Sequence, residues 1–220
     1  QHLKVLIADG VSTTYAQRER GIDGIVQYIQ SFVYSKAGNY LCFFPSYEYM
    51  CMAVDRMAPS STRVSLLVQE RNMDDAGRRR FLDRFNVRKE GTLVGFAVMG
   101  GIFGEGIDLV GDRLSGAVIV SVGLPAVCPE RDLIRNYFDR HGQGFDFAYR
   151  FPGINRVLQA AGRVIRSDED RGAILLLDRR FCRSDYQDLL PFHWTIQHVN
   201  SPRQLETHLD RFWSPGASTD

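Results

Sequence analysis

Two stretches of this 220-residue chain concentrate side chains able to do chemistry. The first is Gly100-Gly101-Ile102-Phe103-Gly104-Glu105-Gly106-Ile107-Asp108. Glycines after a strand let backbone amides approach a phosphate, or let another segment pack close. A structural turn and a functional loop both fit. The glycines at 101, 104 and 106 run in the reverse of the G-x-G-x-x-G dinucleotide spacing. None of the three lysines, Lys4, Lys36 and Lys89, follows a glycine, so the chain has no Gly-Lys-Ser/Thr phosphate loop. The second stretch is Gln159-Ala160-Ala161-Gly162-Arg163-Val164-Ile165-Arg166. On a helix Arg163 and Arg166 share one face, with Gln159 one turn earlier on that face. Two guanidinium forks suit phosphate oxygens, and a solvated basic face is the plainer alternative. Gly162 inside a helix costs about 1 kcal/mol relative to Ala, which close approach of another segment would explain.

Charge and cysteine usage narrow the classes. The net charge is +1, so no global field recruits nucleic acid or an anionic membrane. Of 27 basic residues, 24 are arginines. Base composition accounts for such a bias on exposed faces, and phosphate recognition is the sharper reading. Eight arginines between Arg150 and Arg183 face four acids, Asp168, Glu169, Asp170 and Asp178, so a functional reading looks there first. Asp168-Glu169-Asp170 follows Arg166-Ser167 rather than an apolar strand, and reads as a solvated turn, not a metal box. The four cysteines, Cys42, Cys51, Cys128 and Cys182, show no C-x-x-C pair. No metal or iron–sulfur site is expected from this chain alone, and a reducing, cytoplasmic location fits. His193 and His198 read as structural. No apolar run approaches the roughly 20 residues of a membrane span. The start, Gln1-His2-Leu3-Lys4, has neither a leader pattern nor an initiator Met, and suggests a piece of a longer protein.

The elements that would position these residues alternate regularly. Strands are expected over Leu3–Ala8, Asn39–Phe44, Arg63–Val68, Thr92–Val98, Gly116–Val122 and Gly172–Leu177, with a short last one over Thr195–Val199. Helices are expected over Tyr15–Ala37, Ser46–Met57 with Ser46 as cap, Asp74–Phe85, Pro129–Arg140, Gly153–Arg166 and Pro202–Phe212. Near-continuous apolar strands between helices imply one α/β domain with a mostly parallel sheet covered on both faces, a three-layer α/β/α arrangement. Ligands bind such sheets at the carboxyl ends of the strands. Pro45-Ser46-Tyr47, Gly100–Asp108 and Gly123-Leu124-Pro125 fall there.

The pair Gly104-Glu105-Gly106-Ile107-Asp108 and Gln159-x-x-Gly162-Arg163-x-x-Arg166, about fifty residues apart, resembles helicase motifs V and VI. More narrowly it is similar to the second RecA-like motor domain of DinG/XPD-type superfamily 2 DNA helicases. The likeness includes Gly38–Tyr47 as motif IV and Val120–Pro125 after motif V. After motif VI it includes Asp170-Arg171-Gly172, Leu177-Asp178-Arg179-Arg180-Phe181 and Leu190-Pro191. It spans roughly residues 38 to 195, and the order and spacing of the motifs carry it.

This resemblance implies the carboxyl-terminal half of an ATP-dependent DNA helicase that moves 5′ to 3′. ATP and Mg²⁺ would be held mainly by an amino-terminal motor domain of the same polypeptide. Any iron–sulfur cluster would also lie outside this chain. Arg166 would be the arginine finger, Arg163 its partner on the γ-phosphate, and Gln159 would orient water or link to motif V. Asp108, Glu105, Gly106 and Gly162 would shape the nucleotide side. Ser46 and Tyr47 would contact single-stranded DNA, with a plain helix cap as the alternative for Ser46. A monomer without membrane contact is expected, and the fragment alone is expected to be inactive. The rival from another class is a non-enzymatic RecA-like module that binds nucleic acid or protein. A self-contained nucleotide-binding protein is the third reading, and the missing phosphate loop argues against it.

Overall fold

The computed structural model describes residues 2–57, 64–86, 91–101, 103, 114–164 and 171–214. Seven strands form one sheet: β1 Leu3–Ala8, β2 Asn39–Phe44, β3 Val64–Val68, β4 Thr92–Val98, β5 Gly116–Val120, β6 Gly172–Leu177 and β7 Ile196–Val199. Their spatial order is β3-β4-β2-β5-β6-β1-β7, and every pairing is parallel. The helices are α1 Arg18–Tyr34, α2 Tyr47–Arg56, α3 Asp75–Asp83, α4 Pro129–Asp139, α5 Phe151–Ala161, α6 Ser184–Gln187 and α7 Pro202–Trp213.

Side-chain alternation along each strand splits the core in two. Val5, Ile7, Leu41, Phe43, Ala117, Ile119, Ile174 and Leu176 point to one face, against α3 and α5. Leu6, Ala8, Tyr40, Cys42, Phe44, Val118, Val120 and Leu175 point to the other, against α1, α2 and α7. On α1, Ile22, Ile25, Val26, Ile29 and Val33 are all buried, as their three-and-four spacing requires. β5 and β6 are buried at every position, because both faces and both edges are covered. This is the parallel, covered α/β sheet that the strand–helix alternation predicts, in the RecA-like form that the resemblance implies.

The ends of several elements differ from the sequence expectation. Residues Tyr15–Gln17 form a 3₁₀ turn, and α1 begins only at Arg18. β5 stops at Val120, not Val122, because Ser121 takes a left-handed backbone conformation, φ +78°. The expected Gly153–Arg166 helix is Phe151–Ala161, entered from a π-helical turn at Asp146–Arg150. Gly162 is its C-cap, with φ −63° and ψ −1°, and an added Cβ would meet only carbonyls of the preceding turn, nearest Leu158 O at 3.2 Å. Close approach of another segment therefore does not account for Gly162 among the described residues.

A close approach does exist one helix length earlier. A Cβ on Gly153 would sit 2.7 Å from Val122 O and 3.2 Å from Leu124 N. Gly123 has φ +68°, and its Cβ would sit 2.5 Å from Gly153 O. Backbone therefore rides on backbone where α5 crosses the carboxyl end of β5. Gly153→Ala is expected to destabilise the domain by about 1–3 kcal/mol, the range for overpacking a closed site. Chemical denaturation would check this, and a variant as stable as the parent would show that the contact has slack.

Candidate functional site

At the carboxyl end of β4 the chain turns at Gly100, φ +68°, against the side of α5. An added Cβ there would lie 2.7 Å from Nε of Arg156, so glycine is what lets the guanidinium pack over this turn. A cleft of about 500 Å³ opens beside it, lined by Arg78 of α3, Gly100, Gly101, and Asn155, Arg156 and Gln159 of α5. Burial, and then the charge of Arg131, hold the Arg156 guanidinium below its ordinary pKa. Among the described residues no carboxylate pairs with it. A cation held this way favours an anion in the cleft.

Gln159 is exposed on the last turn of α5 and lines this cleft. Arg163 is half-buried in the turn after the helix, where its amide donates to Ala160 O at 3.4 Å. The two stand at one end of α5, but no helical face carries Arg163, because α5 ends at Ala161. Arg166, Glu105, Gly106 and Asp108 lie outside the described residues, as does Asp168-Glu169-Asp170. Gly162 is exposed beside Arg163. Sequence reasoning gave no role to Arg156 or Arg78. Arg156 stands three residues before Gln159, a helical neighbour, so that signal was present. Arg78 joins them only through the tertiary fold.

Ser46 caps α2, and its hydroxyl oxygen accepts from Tyr49 N at 3.3 Å. The hydroxyl also hydrogen-bonds the Glu48 carboxylate, which helps to hold that group below its ordinary pKa. Tyr47 follows at the first helical position, half-buried, with the Arg71 guanidinium 4.7 Å from its ring centre. Glu48 pairs with Arg71 at 2.5 Å, with both side chains largely exposed. The α2 amino terminus, a tyrosine and a bound arginine thus share one corner of the carboxyl edge.

Four of the eight arginines in the arginine-rich stretch serve the fold. Arg150 bridges Asp146 at 2.8 Å and Asp185 at 2.7 Å, and Arg183 also pairs with Asp185. Arg171 packs over Phe212 and donates to its carbonyl. Asp178, fully buried, accepts from Arg180 Nε at 2.9 Å and Nη2 at 2.8 Å, and from the amide and hydroxyl of Thr13. Arg180 also donates to Ser121 Oγ at 3.2 Å. This network ties the carboxyl ends of β1, β5 and β6 together and holds the hydroxyl of Ser121. Burial pulls the Asp178 carboxyl upward, but the Arg180 and Thr13 hydrogen bonds outweigh it and leave the group below the usual carboxylate range.

The four cysteines are free, and Cys42 is fully buried in β2, where burial pushes its thiol up. No four-thiol set for an iron–sulfur cluster forms among the described residues. One metal-capable trio does: Asp9, Cys182 and His198. A thiol and an imidazole do not suit Mg²⁺, which requires oxygen donors. The trio is therefore not a magnesium set. No described helix is long and apolar enough to cross a membrane.

Residues 29–197 match the helicase C-terminal domain family. A probable ATP-dependent helicase of Methanocaldococcus jannaschii is 27% identical over 195 residues, covering 80% of this chain and 28% of that protein. The ATP-dependent DNA helicase DinG of Photobacterium profundum is 26% identical over 192 residues, covering 83% of this chain and 27% of that protein. The chain thus spans little more than a quarter of these relatives. An apo XPD structure superposes with a TM-score of 0.71 at 20% identity, over 90% of this chain and 40% of that one. The chain belongs to the helicase C-terminal domain family, in its DinG/XPD-like branch of superfamily 2.

Proposed function

We propose that this domain is the second motor half of an ATP-dependent DNA helicase. It supplies arginines to ATP held by a phosphate-loop domain of the same polypeptide, and grips single-stranded DNA at its carboxyl edge. The observation that carries the reading is the family match together with the cleft at Gly100-Gly101, into which α5 brings Gln159 and Arg156. Phosphoryl transfer to water spreads negative charge over the γ-phosphate oxygens, and positive groups that arrive only on closure stabilise that charge selectively. Arg166 is the finger and Arg163 its partner. Gln159 orients water or links to the glycine segment, and Asp108, Glu105, Gly106 and Gly162 shape the nucleotide side. Mg²⁺, held by acids outside this chain, supplies charge neutralisation at the phosphates. Arg156 adds a standing positive field to the same cleft.

Ser46 and Tyr47 contact the DNA backbone without reading sequence, as a translocating motor requires. The motor acts as a monomer in the cytoplasm and moves 5′ to 3′. A phosphate-loop domain is indispensable, since this chain lacks the Gly-Lys-Ser/Thr loop that cradles the phosphates. The 220-residue domain alone is therefore expected to fold and to show no ATP turnover above background. A steady-state ATPase assay with and without single-stranded DNA decides this. Robust turnover by the purified domain would refute the half-site.

A further inference from the structure

We propose that Asp9, Cys182 and His198 form a zinc site at the β6-β1-β7 end of the sheet, separate from the nucleotide cleft. The three come from three neighbouring parts of the fold. Asp9 follows β1, Cys182 ends the 3₁₀ turn after β6, and His198 lies in β7. Adjacent strands hold them: Ile7 pairs with His198 and Ala8 with Val199, and the Asp9 amide donates to Val199 O at 3.2 Å. One ligand atom from each lies within 4.8 Å of the other two.

The sulfur–nitrogen distance suits coordination. Zinc with a Zn–S bond of about 2.3 Å and a Zn–N bond of about 2.0 Å, at a tetrahedral angle, separates sulfur from nitrogen by about 3.5 Å. Cys182 Sγ lies 3.6 Å from His198 Nδ1. A set of one thiolate, one imidazole and one carboxylate is a zinc set rather than a magnesium or calcium set. Binding replaces the thiol proton of Cys182, which leaves to solvent, and forms a Zn–S bond with no change of oxidation state. Three protein ligands leave a fourth position for water or a ligand donor. His198 is exposed, so metal can enter from solvent.

Asp9 also lines a second recess, of about 440 Å³, with Gly10, Ser12, Arg20 and Arg179. A zinc ion would clamp residues 9, 182 and 198 together and add positive charge beside that recess. Separations of 173 and 16 residues hide such a site from any reading of local cysteine and histidine spacing.

The test uses Co²⁺ and Zn²⁺ with the metal-free 220-residue domain. One equivalent of Co²⁺ is expected to give a thiolate-to-cobalt charge-transfer band with tetrahedral visible absorption, which Zn²⁺ abolishes. His198→Ala and Cys182→Ser are each expected to weaken Co²⁺ binding at least ~100-fold, beyond the usual cost of losing an outer-shell partner. Cys51→Ser and Cys128→Ser keep the band. At a hundredfold excess over Kd, Zn²⁺ should raise Tm by roughly 5 °C or more, an effect lost in His198→Ala. The exposed His198 can be replaced without touching the core, so that variant remains informative if Cys182→Ser misfolds. A domain that gives no band, or a band that survives both ligand variants, overturns the site and leaves a thiol–imidazole hydrogen bond in its place.

Discussion

In a polypeptide that joins this domain to a phosphate-loop domain, Arg166→Ala is expected to lower DNA-stimulated ATP turnover by at least ~10²-fold, toward the low end of arginine-finger effects. The loss should fall on kcat, with the affinity for ATP little changed. A finger that arrives on closure stabilises the transition state far more than the ground state, and the phosphate-loop domain holds most of the nucleotide. Arg163→Ala, three residues nearer Gln159 in sequence, should also lower turnover. Steady-state ATPase with saturating single-stranded DNA, paired with nucleotide-binding titrations, separates the two parameters. An Arg166→Ala enzyme with normal kcat would end the finger assignment. A normal kcat with a large rise in KM would make Arg166 a ground-state binder instead.

Much of the fold is legible because buried parallel strands leave a plain signature. Asn39–Phe44, Thr92–Val98 and Gly172–Leu177 are apolar runs between turn residues, and each matches its strand residue for residue. Covered on both faces, such strands have no polar alternation to confuse them. Helix ends are harder, because they depend on backbone geometry rather than on pattern. The motif around Gly162 reads as helix interior, because the apolar stripe runs on to the buried Val164, yet the helix stops at Ala161 and glycine caps it. Ser121 gives no local sign of its left-handed backbone. Its hydroxyl meets Arg180 across 59 residues, a contact that exists only in three dimensions.

The candidate site divides the same way. Gln159 and the Gly100-Gly101 turn were legible from type and spacing, and the fold brings both to one cleft. Arg156 and Arg78 were hidden among 24 arginines that look alike in sequence. What distinguishes Arg156 is burial without a carboxylate partner among the described residues, whereas Arg150, Arg180 and Arg183 are each matched to an acid. The local excess of positive charge between Arg150 and Arg183 was thus a weak guide, because ion pairing with acids inside and just outside the stretch absorbs much of it.

Asp178→Ala should be the most destabilising single change at the carboxyl edge, by about 3 kcal/mol or more at neutral pH. The carboxylate is fully buried, and its removal strands the Arg180 guanidinium and the Thr13 amide that it receives. It also frees the Arg180 fork that steadies Ser121, so the ends of β1, β5 and β6 loosen together. The pH dependence follows from the direction of the shift. Asp178 titrates below its ordinary value in the fold, while in the unfolded chain it titrates near about 3.9. Its stabilisation is therefore fully present above about pH 5 and shrinks as pH falls below about 4 toward the folded value. The gap in unfolding free energy between parent and Asp178→Ala should narrow over that acid range. Urea denaturation at pH 7, 5 and 3 measures it. A variant within about 0.5 kcal/mol of the parent at pH 7, the scatter of ordinary surface changes, would mean that water replaces the carboxylate and that the network does not hold the edge together.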